Sequence, residues 1–333
     1  MKIVIFDVEP WECETFEALG EDHEIVFEEA NLDAEKAEEH SDAEIISAFI
    51  YSDLSVDVLE TFKDLKFIAT RSTGFDHIDM DHCRENDIAV SNVPTYGTNT
   101  VAEHAFALLL AISHRIVEAA DRTRRGDFSQ EGLQGFDLRG RTIGVVGTGD
   151  IGAHAARIAR GFEMNVLAFD VEPREDVARD FGFEYVGMDE LLSRSDVVSL
   201  HVPGNEKTKH MIDRTAFDKM KDGAILINTA RGSVVEMRAL LEALASGKLA
   251  AAGLDVLPEE PAVREEAELL RRYFKREHDL DTLLADHILL RMRNVVITPH
   301  SGFNTREAVQ RILDTTRENI EGFLKGDPPN LVG

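Results

Sequence analysis

The chain has 333 residues, enough for two domains with buried cores, and its hydrophobic content of 43% is typical of a globular protein. A formal net charge of −27 argues against nucleic acid as a partner. The sequence has no uncharged apolar run of about 18 residues, so it predicts no membrane span and no membrane partner. The two cysteines, Cys13 and Cys83, are too few for a disulfide framework and favour a cytoplasmic location.

The acidic residues are spread along the whole chain rather than held in a tail. Such a surface is soluble and self-repelling. It is also what a protein adapted to high salt would carry, because salt screens the repulsion. The sequence leaves both interpretations open.

In the first hundred residues, apolar runs alternate with polar helical runs. The runs KIVIFDV, HEIVFEE, AEIISAFIYS, KFIATRS and IAVSNVP predict five short strands. The segments DAEKAEEHSD, SVDVLETFKDL and DMDHCREND between them predict helices. The alternation predicts a parallel sheet, and the opening run MKIVIFDVEP, with no basic region, is interpreted as a strand rather than a signal peptide.

The segment TVAEHAFALLLAISHRIVEAADRTRRG predicts one long helix, apolar on too many sides for a surface position. We interpret it as core or as a dimer interface, with His104 and His114 at the edge of that core or interface. Six further strands follow, RTIGVVG, NVLAFDV, DVVSLHVP, GAILINTA, AAGLDVL and NVVITPH, which is the number in a dinucleotide-binding sheet. The charged segment 261–293 is interpreted as a surface arm, and TREAVQRILDTTRENIEGFLKG predicts a C-terminal amphipathic helix.

The run VVGTGDIG carries Gly147, Gly149 and Gly152 in G-x-G-x-x-G spacing, between a predicted strand and a predicted helix. This context makes the motif specific for a dinucleotide. The first glycine permits a tight turn, the second lets the backbone approach the pyrophosphate, and the third lets helix and strand pack closely. The helix N-terminus then offers N–H groups and positive potential to the phosphates.

Asp170 ends the next predicted strand, 18 positions after Gly152. A carboxylate there should bind the adenine ribose hydroxyls and repel a 2′-phosphate, which predicts NAD rather than NADP. Asp150 lies inside the glycine motif, beside the expected pyrophosphate. Its charge is unfavourable there unless it points to solvent or is screened by salt.

Three residues at or just beyond predicted strand ends could carry the chemistry: Arg231, Glu260 and His300. Ligands of α/β sheets bind at the carboxyl ends of strands. There an arginine can hold a carboxylate, and a histidine can transfer a proton near neutral pH. A neighbouring carboxylate would raise the pKa of that histidine. Glu259 stands beside Glu260, so the residues alone leave the choice between these two carboxylates open.

Together these motifs resemble the D-isomer-specific 2-hydroxyacid dehydrogenase family over nearly the whole chain. The resemblance rests on VVGTGDIG with Asp170, SDVVSLHVP, MKDGAILINTARGSVV, GLDVLPEEP and NVVITPHSG. The N-terminal RSTGFDHID and NVPTYGTNTVAEH, the arm before NVVITPH and the aromatic of HSGF are similar to the D-lactate dehydrogenase branch.

The resemblance implies that His300 is the acid/base, Glu260 its partner and Arg231 the substrate anchor, with Glu260 chosen because it lies five residues after Asp255. It also implies further cofactor contacts and a substrate pocket. The implied cofactor residues, beyond the glycines, Asp150 and Asp170, are Ile151, Val202, Pro203, Thr208, Thr229, Ala230, Arg231 and Asp255. The implied pocket residues are Tyr51, Ser72, Thr73, Gly74, Tyr96 and Phe303, although plain core packing would also explain the aromatic ones.

No metal site is predicted. His77 and His82 lie near Asp76, Asp79 and Asp81, but a five-residue spacing does not put both imidazoles on one helix face. We interpret this segment as solvated and polar.

The sequence thus predicts an α/β protein with two doubly wound parallel-sheet domains. A flavodoxin-like substrate domain (1–98 and 299–333) would receive a Rossmann NAD domain (99–298) as an insertion. The cleft between them would hold nicotinamide against a small 2-oxo acid, with D-lactate and pyruvate as the first pair. The alternatives are a glyoxylate- or hydroxypyruvate-type reductase and a non-catalytic, NAD-sensing protein like the corepressors of this fold. The long helix suggests a homodimer built through the NAD domains.

Overall fold

In the computed structural model, which describes residues 1–75, 77–258 and 287–333, the chain forms two compact units. The first unit comprises Met1–Tyr96 and Asn304–Gly333, and the second comprises Gly97–Phe303. The second unit is therefore an insertion in the sequence of the first. Each unit has its own parallel sheet, as the alternation of strands and helices predicts.

The sheet of the first unit has five strands in the order β2-β1-β3-β4-β5. Their bounds are β1 Lys2–Ile5, β2 Glu24–Phe27, β3 Ile45–Ala48, β4 Phe67–Thr70 and β5 Ala89–Ser91. Two 3-10 turns, Cys13–Thr15 and Glu17–Glu21, follow β1, and helices α1 Ala34–Glu39, α2 Val56–Leu59 and α3 Met80–Glu85 connect the later strands. All five predicted strands are confirmed.

The strands of this sheet are apolar at nearly every position because both faces are covered. Ile3 and Ile5 point into one apolar cluster, and Val4 and Phe6 point into another on the opposite face. Successive side chains of a strand alternate between faces, so one short run serves two cores.

The second unit holds a seven-stranded parallel sheet in the order β12-β11-β10-β9-β6-β7-β8. Its strands are β6 Thr142–Val146, β7 Asn165–Phe169, β8 Glu184–Tyr185, β9 Val197–Leu200, β10 Ala224–Asn228, β11 Leu249–Leu254 and β12 Val295–Ile297. Its helices are α4 Thr98–Ser113, α5 Ile116–Arg124, α6 Asp150–Gly161, α7 Glu175–Phe181, α8 Met188–Arg194, α9 Arg214–Lys219 and α10 Met237–Ser246, with a 3-10 turn at Gly232–Val234. The strand order reverses between β9 and β6, the type of position where dinucleotides bind in doubly wound sheets.

The six predicted strands of this unit are confirmed, and β8 is an addition that the sequence did not predict. It is only two residues long and pairs with β7 at one edge of the sheet. Of the predicted arm, residues 261–286 lie outside the described residues.

The single long helix predicted after residue 100 is wrong. The segment forms α4 and α5, which meet at an angle of 63°. Arg115, between them, has a left-handed backbone with φ +50°. The carbonyl of Ser113 accepts a hydrogen bond from the N–H of Phe136 at 2.9 Å, so a later loop occupies the position where the helix would have continued.

The predicted burial of this helix holds for α4, which packs against α6 and β11. Ala102, Ala105, Phe106, Leu108 and Leu109 are buried in one cluster with the sheet. In α5 the described side chains include none that is buried, and Ile116 and Val117 are more than half exposed.

The C-terminal helix, α11 Arg306–Leu324, returns to the first unit. Thr305 caps its N-terminus by accepting a hydrogen bond from the N–H of Ala308. Its residues Leu313 and Ile320 are buried against β1 and β4. The predicted amphipathic helix is confirmed.

Among the described residues, no single helix is long and apolar enough to cross a membrane. The bent pair α4 and α5 would pass that test jointly by length and composition, although α4 is largely buried in the protein.

Candidate active site

Three neighbouring strands of the second unit bring Arg231, Asp255 and His300 to one edge of the sheet. Asn228, at the end of β10, pairs with Leu254, at the end of β11, and Leu254 pairs with Ile297, at the end of β12. Because the strands are parallel and end in register, the segments that follow them start side by side. Glu260 and its neighbour Glu259 lie outside the described residues.

Asp255 organises the segment that carries His300. It is 2% exposed. Its backbone carbonyl accepts a hydrogen bond from the N–H of His300 at 2.9 Å. Its carboxylate accepts from the N–H of Ser301 at 2.9 Å, from the N–H of Gly302 at 2.8 Å and from the hydroxyl of Thr298 at 2.5 Å. One aspartate therefore fixes the whole stretch from Thr298 to Gly302.

His300 itself has a left-handed backbone, with φ +51°. This region is uncommon for residues other than glycine and persists where surrounding structure imposes it. The hydrogen bond to Asp255 imposes it here, and the ring is half-buried at the sheet edge.

The hydrogen bonds to Asp255 also keep its carboxylate charged. Burial on its own would raise the pKa of Asp255, but the hydrogen bonds from His104 and Thr298 outweigh the burial, and the pKa lies below its ordinary value. A fixed negative charge therefore lies directly beneath the His300 segment.

His104, on α4, contacts Asp255 and Thr298, and the sequence analysis did not identify it as a site residue. Its Nε2 lies 2.9 Å from the hydroxyl of Thr298 and 3.2 Å from the Asp255 carboxylate. The signal was present: a histidine within an otherwise apolar, buried stretch of helix needs a polar partner in the core. What the sequence could not give was the identity of that partner.

Arg231 immediately precedes the 3-10 turn after β10 and is half-buried. Its Nη1 donates to the carbonyl of Ala230 at 2.8 Å, and the side-chain amide of Asn228 donates to its carbonyl at 3.0 Å. A Cβ on Gly204 would lie 2.8 Å from the Arg231 Cγ, so the stem of the arginine runs along the Gly204 backbone. The following Gly232 approaches Leu257 so closely that a Cβ there would lie 2.3 Å from its carbonyl carbon.

The glycine-rich turn joins β6 to α6, as the motif predicts. Gly147 has φ +90°, which glycine adopts without strain. A Cβ on Gly152 would lie 1.9 Å from the Gly147 carbonyl oxygen, so only glycine allows the helix to pack this closely. Around Gly149 a Cβ would meet nothing within 4 Å. Open space therefore faces the first turn of α6, where N–H groups are available to an anion.

Asp170 follows β7 and reaches the same turn. Its carboxylate accepts from the N–H and the hydroxyl of Thr148 at 2.6 and 2.9 Å, and from the N–H of Glu172 at 3.0 Å. Burial raises the pKa of Asp170, but the backbone N–H groups of Glu172 and Thr148 lower it further, and the net pKa is depressed. The carboxylate is ionised at neutral pH. The hydroxyl of Tyr185 completes the cluster, 2.7 Å from that of Thr148.

Asp150, the unfavourable charge within the glycine motif, has a cationic neighbour. Its carboxylate is 63% exposed and lies 3.6 Å from the guanidinium of Arg174. Arg174 also donates a short hydrogen bond to the carbonyl of Thr148. Exposure to solvent and the arginine together account for how an acidic residue is accommodated at this position.

The remaining residues of the implied cofactor set lie along the same sheet edge. Val202 and Pro203 follow β9, and Thr208 closes the next turn, its hydroxyl donating to the Pro203 carbonyl at 2.6 Å. Ala230 donates its N–H to the side chain of Asn228 at 3.0 Å. Ile151 packs against the core under α6. The hydroxyl of Thr229 and Nδ1 of His201 are buried with no hydrogen-bond partner in the part of the chain that the structure describes.

The implied substrate residues of the first unit follow β3, β4 and β5. Ser72 is buried, and its hydroxyl donates to the Gly74 carbonyl at 2.6 Å. Thr73 donates to the Val93 carbonyl at 2.7 Å. Tyr51 is 38% exposed and meets Phe49 edge to face, while the Tyr96 carbonyl accepts from Arg311. In the second unit, Phe303 follows Gly302 and is half-buried.

Among the described residues, one group offers three possible metal ligands within 4.8 Å of one another: Glu28, Glu39 and His40. The ammonium of Lys36 lies between the two glutamates, 3.1 and 2.7 Å from their oxygens. A cation is therefore already bound there. His77 and His82, considered from the sequence, are not part of this group.

Comparison with known proteins places these features in a family. The family model for the D-isomer specific 2-hydroxyacid dehydrogenase, NAD binding domain, matches residues 106–302. The D-lactate dehydrogenase of Escherichia coli (strain K12) is 35% identical over 341 residues, covering 100% of both chains. A glyoxylate reductase of Korarchaeum cryptofilum is 38% identical over 296 residues, covering 87% of this chain and 83% of that one.

Solved structures of similar proteins indicate the same family. A D-lactate dehydrogenase from Aquifex aeolicus, complexed with NAD and lactic acid, has a TM-score of 0.85 and 37% identity over 98% of this chain and 96% of that one. The chain therefore belongs to the D-isomer specific 2-hydroxyacid dehydrogenase family, and the resemblance inferred from its motifs is confirmed.

NAD is the cofactor of this family, and the described residues fit it. The space beside Gly149 suits a pyrophosphate, and the ionised Asp170 suits a ribose with free hydroxyls. The buried Thr229 hydroxyl is a polar group that a ligand could satisfy.

Proposed function

We propose that the protein interconverts a small (R)-2-hydroxy acid and its 2-oxo acid, with D-lactate and pyruvate as the preferred pair. The reaction is (R)-2-hydroxy acid + NAD⁺ ⇌ 2-oxo acid + NADH + H⁺. The observation that carries the proposal is the register of β10, β11 and β12, which delivers Arg231, Asp255 and His300 to one edge of the NAD-binding sheet.

His300 is proposed as the acid/base. In reduction the imidazolium donates a proton to the carbonyl oxygen, and in oxidation the neutral ring takes the proton from the hydroxyl. Bound NADH supplies the hydride that C2 receives. The backbone held by Asp255 would keep the ring at a fixed place on the sheet edge, as proton transfer requires. Glu260 is proposed as the partner of His300 that orients its ring.

Arg231 is proposed as the anchor of the substrate carboxylate. Its guanidinium presents paired N–H donors in one plane, which matches a carboxylate and also polarises the neighbouring keto oxygen. The packing of its stem on Gly204 supports this role, because it reduces the freedom that binding must remove.

For the cofactor, we propose that Gly147, Gly149, Asp150, Ile151 and Gly152 surround the pyrophosphate and that Asp170 binds the adenine ribose. The proposed contacts further along the edge are Val202, Pro203, Thr208, Thr229, Ala230, Arg231 and Asp255. For the substrate, we propose backbone contacts from Ser72, Thr73 and Gly74 and pocket walls from Tyr51, Tyr96 and Phe303.

Lactate is favoured over glyoxylate because the D-lactate dehydrogenase relative matches a larger share of this chain than the glyoxylate reductase does. The E. coli D-lactate dehydrogenase aligns over 100% of this chain, whereas the K. cryptofilum glyoxylate reductase aligns over 87%. A glyoxylate- or hydroxypyruvate-type reductase is the second candidate, because that reductase is the more identical of the two, at 38% against 35%.

The quaternary structure is proposed to be a homodimer built through the NAD domains. In the region around α5, Ile116, Val117 and Phe128 are 51, 56 and 79% exposed. Large exposed apolar side chains close together in sequence are candidates for a protein interface. Light scattering should give twice the mass of one chain, and Phe128→Glu should shift the protein toward the monomer. The two free cysteines are compatible with the cytoplasm as its location.

The test of the proposed activity uses the pure protein, NADH and a panel of pyruvate, glyoxylate, hydroxypyruvate and a branched 2-oxo acid. Consumption of NADH is followed by absorbance, at low and at molar salt. The highest kcat/KM is expected for pyruvate. Binding of NADH without turnover of any acid would contradict the proposal and favour a non-catalytic NAD sensor.

His300→Ala identifies the acid/base. It should lower kcat by about a thousandfold, which is the size of effect expected when a general acid–base is removed. NADH should still bind. His23→Ala, at the surface of the first unit, is the control and should retain the parent kcat. Loss of NADH binding in His300→Ala would instead make His300 a structural residue.

A further inference from the structure

We propose that His104 is a positioning residue for the reaction, acting through Asp255 and Thr298 on the backbone of His300. The inference rests on the proposed function, since it assumes that His300 carries the proton. His104 lies on α4, in another part of the second unit's sequence from the segment it contacts.

The hydrogen bonds fix which atom donates. The Thr298 hydroxyl has one hydrogen, and the Asp255 carboxylate 2.5 Å away is ionised and can only accept, so that hydrogen goes to Asp255. The Thr298 oxygen is then an acceptor toward His104. Nε2 of His104 must therefore carry a hydrogen, which lies between the Thr298 oxygen at 2.9 Å and the Asp255 oxygen at 3.2 Å.

The contact between His104 and Asp255 lies next to the tightly packed segment of Ser301 and Gly302. The Asp255 oxygen nearest to His104 is also the acceptor for the N–H of Ser301, and the second oxygen accepts from Gly302. A Cβ on Gly302 would lie 2.8 Å from that second oxygen and 3.5 Å from the ring of His104. The imidazole therefore closes one side of the space in which the carboxylate lies.

Removal of the donor should free the segment. A buried carboxylate that loses a charge-assisted hydrogen bond turns toward other donors or water. The hydrogen bonds to Ser301 and Gly302 would then weaken, and the left-handed backbone of His300 would lose the contacts that impose it. A displacement of about 1 Å at a catalytic group can lower the rate by about a hundredfold. The residues proposed to hold the pyrophosphate and the adenine ribose follow β6 and β7. Asp255 is one proposed cofactor contact among many, so dinucleotide affinity should change less than kcat.

The test compares His104→Leu, which removes the donor, with His104→Gln, whose side-chain N–H can take the place of Nε2. His114→Leu, exposed at the end of the same helix, is the matched control. Three quantities are measured: kcat with pyruvate, the Kd of NADH, and the hydrogen-exchange rate of the backbone amides of Ser301 and Gly302.

His104→Leu should lower kcat by about 30-fold and change the Kd of NADH by less than about fivefold, since it disturbs the proton donor more than the cofactor site. The two amides should exchange at least about tenfold faster. His104→Gln should recover kcat to within about threefold of the parent and restore slow exchange, and His114→Leu should match the parent.

Two outcomes would overturn the role of His104: a kcat in His104→Leu within about twofold of the parent, or equal impairment in His104→Leu and His104→Gln. If the parent reduces no 2-oxo acid, the proposed function fails, but hydrogen exchange still decides on His104. Unchanged exchange of Ser301 and Gly302 in His104→Leu would then refute its positioning role.

Discussion

At the scale of single residues, His300 has a strained backbone, and hydrogen bonds to Asp255 stabilise that conformation. A left-handed backbone at a residue such as His300 costs roughly 1–2 kcal/mol. Asp255 offsets that cost with its carbonyl and both carboxylate oxygens, at the price of burying a charge. The position of the proposed proton carrier therefore depends on an aspartate that holds the backbone of its segment.

Asp170 leads to a prediction about cofactor choice. Its carboxylate is ionised and should repel a 2′-phosphate, so Asp170→Ala should lower the preference for NADH over NADPH in kcat/KM by about tenfold, or about 1.4 kcal/mol. The ratio is measured with one 2-oxo acid under identical buffer. Glu172→Ala removes an exposed charge two residues away and serves as the control. A preference that changes equally in both variants would mean that local charge, and not Asp170, sets the selectivity.

His201 leads to a prediction about acid stability. Burial lowers the pKa of His201 from 6.5 to about 4, and its Nδ1 has no partner among the described residues. In the unfolded chain this histidine takes up a proton near pH 6.5, whereas in the folded chain it does so only near pH 4. The unfolded state therefore binds more protons in this window, and stability falls as the pH is lowered through it, by up to about 3 kcal/mol.

The measurement is the free energy of unfolding in urea between pH 7 and about pH 4, for the parent and for His201→Gln. Glutamine keeps a polar atom near Ser199 but does not titrate. The variant should lose stability less steeply than the parent, whatever its stability at pH 7. Parallel pH dependences in the two proteins would exclude protonation of His201 as the cause.

At the scale of elements, the break between α4 and α5 depends on a loop that packs against the end of α4. A Cβ on Gly135 would lie 2.0 Å from the carbonyl oxygen of Ser113. Gly135→Ala should therefore cost on the order of 2 kcal/mol or more in unfolding free energy, because backbone must move to admit the methyl group. Gly161→Ala, with nothing within 4 Å, is the control and should be neutral or slightly stabilising. Equal effects of both changes would show that the loop adapts freely.

Most strands of both sheets could be predicted because the central ones are buried on both faces and give short continuous apolar runs bounded by turn residues. The two-residue β8 could not, since Glu184 and Tyr185 pair only with an edge and carry no periodic signal. The helix break at Arg115 was also missed. It arises from the distant loop at Gly135 and Phe136, and a local pattern contains no information about that contact.

For the site, the glycine motif could be predicted because local sterics require glycine at Gly147, with its positive φ, and at Gly152, with its 1.9 Å approach to the Gly147 carbonyl oxygen. The strand-end position of Arg231 and His300 followed from the same periodicity. The side chains that contact Asp150 and Asp255 could not be predicted from that periodicity. Arg174 and His104 reach them through tertiary packing, across distances in sequence that no motif spans.

At the scale of the whole molecule, 63 acidic residues against 36 basic ones give a net charge of −27, and we expect this excess of like charge to destabilise the compact state by self-repulsion. Salt shortens the range of that repulsion, from about 10 Å at 0.1 M to about 3 Å at 1 M. The melting temperature should therefore rise with sodium chloride over this interval. A variant with several exposed glutamates changed to glutamine should respond less. A flat or falling melting temperature would show that the screened ion pairs matter as much as the excess charge, and would remove the argument for salt adaptation.

We propose that this sheet edge holds NADH and a 2-oxo acid so that a hydride passes from the nicotinamide to C2 and gives the (R) product. The most direct measurement uses NADH deuterated at the transferable position of the nicotinamide, with pyruvate and the pure protein, and analyses the product by NMR and chiral chromatography. The expected product is (R)-lactate with deuterium on C2, formed by the parent and about a thousandfold more slowly by His300→Ala. Lactate of (S) configuration, deuterium lost to solvent, or equal rates in the two proteins would contradict it.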